Sequence, residues 1–158
     1  MKPGKPHAFG LGVPHNRRRW LYAAFALAFV SGVLWLVFHY FLQQAGEFGP
    51  QPHALEIWWL RLHGAAAFVM LWYAGIVWGT HARPALKHGA DWKRSGLGVV
   101  ALLALLGISG YLLYYLVDDD WRALARIVHW SLGLALALPL GVHLVGVRRA
   151  RRRGDPSA

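Results

Sequence analysis

The chain has 158 residues, 56% of them hydrophobic and 14% aromatic, with a mean hydropathy of +0.33, which places it in the membrane class by composition. It contains no cysteine, which excludes disulfides, thiolate metal sites, covalent c-type haem attachment and cysteine-ligated iron–sulfur clusters. The net charge of +10 lies in short segments between long apolar runs rather than along one polar face, so it signals membrane topology and not a nucleic-acid partner.

In chain order, residues 1–19 read as an extended basic tail, broken by Pro3, Gly4, Pro6, Gly10, Gly12 and Pro14 and closed by Arg17-Arg18-Arg19. Residues 20–148 carry four apolar stretches, 20–42, 57–79, 96–117 and 124–147, each close to the roughly 20 helical residues that cross about 30 Å of hydrocarbon. A signal peptide competes for the first stretch, but the run is full-span and Gln43-Gln44-Ala45-Gly46 makes a poor cleavage site. Residues 149–158 read as a basic, disordered C-terminal tail. The expected fold class is all-α, a membrane four-helix bundle running up-down-up-down with short connections. No internal repeat stands out.

Orientation follows from the loops. The N-terminal tail, the middle loop with Arg83, Lys87, Lys93 and Arg94, and the run from Arg148 to Arg153 all fall on one side of a four-span chain. The other side holds Glu47, Glu56 and Asp118-Asp119-Asp120, so both termini are expected in the cytoplasm, in a multi-pass protein surrounded by membrane lipid. Trp20, Trp58, Trp59, Trp92 and Trp121 lie near the span ends, where interfacial anchors belong.

Four histidines then stand out: His63 and His81 on the second span, His129 and His143 on the fourth. An imidazole inside a bilayer is costly and faces a bundle interior by default. The first two are 18 residues apart, about five helical turns, and the second two are 14 apart, about 40° short of four turns, so each pair lines one stripe. Both helices run in the same sense and place His63 and His129 at a shared depth, where helices on a bundle diagonal can clamp a flat ligand. The pattern suits two pairs of axial ligands for two haems b, an outer His63/His129 site and an inner His81/His143 site. The inner registers differ, by rises of about 27 Å against about 21 Å, which a tilt or a kink at Pro139 would absorb; otherwise His81 is a loop-end histidine in water.

Small residues, Gly64, Ala67, Ala74 and Gly75 on the second span, Gly107 and Gly110 on the third and Gly133 on the fourth, leave room for a macrocycle, although such residues are common wherever membrane helices touch. Arg61, Arg122 and Arg126 lie near the outer interface, where Arg61 and Arg126 could pair with haem propionates, snorkel to headgroups, or pair with Asp118 to Asp120. His39, on a stripe with Ser31 and Trp35, could replace an outer ligand, hydrogen-bond a quinol hydroxyl, or simply bond a neighbouring helix. His7, His15, His53 and His88 fall in tails or loops and receive no chemistry.

The stretch Arg126-Ile127-Val128-His129-Trp130, continuing through Ser131-Leu132-Gly133 to Gly141-Val142-His143, resembles the R-x-x-H-W…H helix of bacterial four-helix di-haem cytochromes b, such as the membrane subunits of formate dehydrogenases and nickel–iron hydrogenases. Leu62-His63-Gly64 and the run from Ser109 to Tyr115 resemble small bacterial relatives of that group, and the likeness covers about residues 57–148. It implies two non-covalent haems b, electron transfer across the bacterial inner membrane, and quinone reactivity. The 18-residue spacing on the second span is wider than a well-matched pair needs.

The expected function is therefore electron transfer between a quinone pool and a partner redox subunit or carrier protein, at most as the electron-transferring subunit of an oxidoreductase. No nucleophile constellation, carboxylate dyad or phosphate loop is visible. Two alternatives come from other classes: a haem-free anchor docking a soluble enzyme or anionic lipid, and a histidine-based transition-metal protein.

Overall fold

The computed structural model describes residues 15–83 and 93–152. Its helices are α1 (His15–Phe41), α2 (Glu56–Val77), α3 (Lys93–Tyr115), α4 (Asp119–Ala135) and α5 (Ala137–Arg152), with a π-helical turn at Trp78–Ala82 and two short strands, β1 (Gln44–Gly46) and β2 (Gly49–Gln51). Four segments are long and apolar enough to cross a membrane: Arg19–Phe41, Glu56–Thr80, Gly96–Tyr115 and Asp119–Gly146, the last comprising α4 and most of α5. They match the four stretches expected from hydropathy and fit a multi-pass membrane protein. Helix is the form they must take, since in hydrocarbon each backbone N–H and C=O needs a partner within its own segment.

The ends of the helices depart from the sequence reading in instructive ways. α1 begins at His15, so Arg17-Arg18-Arg19 is helical and not part of an extended tail. α5 likewise runs to Arg152, carrying four arginines into its last turns, where cations complement the negative end of the helix dipole. The stretches 1–14, with their prolines and glycines, and 153–158 lie outside the described residues, as do Lys87 and Trp92.

Between α1 and α2 the chain forms a hairpin in which Gln44 pairs with Gln51 and Gly46 with Gly49. Gly49 has φ 115°, a left-handed conformation that glycine alone adopts without strain, and so closes the turn after Glu47-Phe48. The α3–α4 connection is capped by Asp118, whose carboxylate accepts from the backbone N–H groups of Asp120 (3.1 Å) and Trp121 (3.0 Å).

Two interruptions shape the histidine-bearing spans. At the end of α2 the π turn packs extra residues into its circuit. The fourth span breaks at Leu136. Pro139, three residues on, offers no N–H to the Ala135 carbonyl and its ring would collide with it, so the break is where proline chemistry puts it.

α1 packs along α2, and α3 along α4 and α5, with a lighter contact between α1 and α4. The α1–α2 seam places Met70, Phe25 and Leu103 beside the small residues Ala24, Ala28 and Ala66. Side chains of this size let membrane helices approach closely and gain van der Waals contact. Large apolar groups such as Phe68, Trp72 and Leu138 point outward instead, as expected where the outer medium is lipid.

Candidate functional site

His63 of α2 and His129 of α4 meet between the two helical pairs. Their ring centroids are 6.0 Å apart and their planes are inclined at 87°. The structure thus brings together the two residues that sequence register placed at one depth.

Each ring is held from behind. His63 Nδ1 lies 2.8 Å from the carbonyl oxygen of Ala28 in α1. A carbonyl only accepts, so this nitrogen carries the proton and Nε2 keeps a lone pair. His129 Nδ1 lies 2.9 Å from Ser109 Oγ in α3, and that hydroxyl donates to the Leu106 carbonyl at 3.2 Å. A hydroxyl hydrogen kept on Leu106 O makes Ser109 the acceptor from Nδ1–H, which would give His129 the same tautomer as His63. Among the described residues no hydrogen bond reaches either Nε2.

The rings also sit on glycines. A Cβ on Gly32 would stand 3.0 Å from His63 Nδ1, and one on Gly110 would stand 3.2 Å from His129 Cε1. Gly110 was one of the small residues expected to make room. Gly32, Ala28 and the acceptor role of Ser109 were not anticipated, because which helix faces which is not written in any local pattern. Of the other small residues, Gly107 and Gly133 would bring a Cβ to 3.7 and 3.8 Å from leucine methyls of neighbouring helices, ordinary packing distances, and Gly64 to 3.5 Å from the Tyr114 hydroxyl.

His39 is engaged elsewhere. It stacks on Trp35, centroids 4.7 Å apart, and its Nδ1 lies 2.7 Å from Oε1 of Glu56 at the start of α2. Of the three roles open to it, the structure displays the bond to a neighbouring helix. Glu56 is buried, and its second oxygen has no partner among the described residues. A lone carboxylate opening an apolar helix was the signal for this pair.

The arginines divide. Arg61 lies over the Trp58 ring, 5.1 Å from its centroid, a cation–π contact at an exposed position. Arg122 pairs with Asp119. Arg126, one turn before His129, has no carboxylate partner among the described residues. His81 lies in the π turn and His143 in α5, with backbones described and side chains outside the described residues. An open groove lined by Gly141, Val142, Val145, Gly146 and Arg149 runs along α5. Among the described residues no three His, Cys, Asp or Glu side chains gather as a metal-binding group.

No family model, curated protein or solved structure matches the chain.

Proposed function

We propose that the chain is a di-haem b-type cytochrome of the bacterial inner membrane, passing single electrons between the quinone pool and a partner redox protein. The observation that carries this reading is the spacing of His63 and His129. An iron here would be held by one nitrogen from each ring, and the ring centroids lie 6.0 Å apart with their planes inclined at 87°. Both Nδ1 atoms are bonded from outside the pair, by Ala28 O and Ser109 Oγ, which would leave the two Nε2 atoms for a metal and fixes the ring planes.

The donor set favours haem over a bare transition metal. Zinc takes three or four protein ligands, and the described residues assemble no group of three. Two opposed imidazoles suffice when a macrocycle supplies the other four ligands. Bound there, haem would supply reversible one-electron iron chemistry.

His63 and His129 would hold the outer haem, and His81 and His143 the inner. Arg126, on the same face of α4 as His129, is placed to meet a propionate, and Arg61 would do so on leaving Trp58. A π turn lies at the end of the helix with the longer histidine spacing. In this reading the bundle runs up-down-up-down with both termini cytoplasmic, as the basic loops favour.

A dithionite-reduced minus oxidised spectrum, with haem quantified per polypeptide, tests the proposal. Two haems are expected, falling to one in His63→Ala and to one in His143→Ala. A colourless wild-type chain would overturn the reading in favour of a haem-free anchor.

A further inference from the structure

We propose that Ser109 in α3 is a positioning residue of the bis-histidine site, fixing His129 through its hydroxyl, whereas Ser31, at the corresponding place beside the glycine seat in α1, leaves His63 to the Ala28 carbonyl. The dipeptide Ser-Gly is short and also occurs at Ser95-Gly96; what singles out the copies at Ser31-Gly32 and Ser109-Gly110 is the imidazole lying against each glycine.

In α1 the carbonyl of residue 28, the hydroxyl of residue 31 and the bare Cα of residue 32 lie on one face. In α3 the same roles fall to 106, 109 and 110. Ser31 Oγ donates to Leu27 O at 2.6 Å and lies 3.1 Å from Ala28 O, whereas Ser109 Oγ lies 3.2 Å from Leu106 O at the i−3 position. The glycine then opens the helix surface beside that carbonyl, and the imidazole of the following helix lies against it, His63 on Gly32 and His129 on Gly110. Each hairpin therefore carries carbonyl, serine and glycine on its first helix and histidine on its second.

The two copies differ in one bond. His63 Nδ1–H donates to the carbonyl of its element, at 2.8 Å. His129 Nδ1 bonds the hydroxyl instead, at 2.9 Å. The hydroxyl of Ser109 is therefore the direct partner of its histidine, while that of Ser31 has its shorter bond to Leu27 O.

This asymmetry gives the test. It rests on the haem reading only where haem binding is measured, and a second readout is independent of haem. In the full-length chain in lipid nanodiscs, Ser109→Val replaces the hydroxyl by a methyl of similar shape, and Ser109→Thr restores it beside the added methyl. Haem affinity by titration should fall about 10- to 100-fold in Ser109→Val, the usual cost of losing a bond behind a metal-bound histidine, and return in Ser109→Thr. On 15N-histidine-labelled chain without haem, NMR should find His129 protonated at Nδ1 in the wild type and Ser109→Thr, and shifted toward the Nε2–H form in Ser109→Val. Ser31→Ala should leave His63 protonated at Nδ1. An unchanged His129 tautomer in Ser109→Val, or a loss at His63 in Ser31→Ala as large as that at His129 in Ser109→Val, would overturn the proposal. Should the wild-type chain bind no haem, the tautomer measurement still decides it.

Discussion

His63 and His129 are held by groups that neither residue's own helix provides, and the same is true of His39. Its contact with Glu56 joins α1 to α2 near one end of the seam, stacked beneath by Trp35. A buried carboxylate deprived of its donor keeps its desolvation cost, so either single truncation, His39→Ala or Glu56→Ala, should destabilise by about 1–3 kcal/mol. Because the two side chains share one bond, the double variant should cost less than the sum of the singles by about 0.5–3 kcal/mol. Thermal unfolding of the four proteins in the same micelles measures this coupling, and strictly additive losses would show that the contact contributes nothing.

At the level of elements, the two histidine-bearing spans each carry one defect, and both defects lie on the far side of the His63/His129 pair. The break at Leu136 follows from Pro139, which denies the Ala135 carbonyl its helical partner. Pro139→Ala should let α4 and α5 run on as one helix, regaining part of the roughly 3 kcal/mol by which proline disfavours a helix interior. Hydrogen exchange then reads the change directly, with amides 136–140 gaining protection. Unaltered exchange across the break would assign it to some cause other than the proline.

For the whole molecule, charge rather than packing sets orientation. The absence of cysteine makes this simple to examine, because any introduced thiol is the only one in the chain. Glu47→Cys, in the α1–α2 connection, should react with a membrane-impermeant maleimide in intact spheroplasts, and Arg83→Cys only after permeabilisation. The reverse pattern would invert the proposed orientation and place the basic face outside.

The sequence by itself determined the four spans to within a few residues, because hydrocarbon thickness and backbone hydrogen bonding leave a long apolar run one structure to adopt. It also determined which two histidines share a depth, since rise per residue is fixed within a helix. Only the tertiary structure decided what stands behind them. The acceptors Ala28 and Ser109, the glycine seats Gly32 and Gly110, and the Glu56 partner of His39 all come from other helices. Helical periodicity specifies the face on which a side chain lies but carries no information about which neighbour that face will meet.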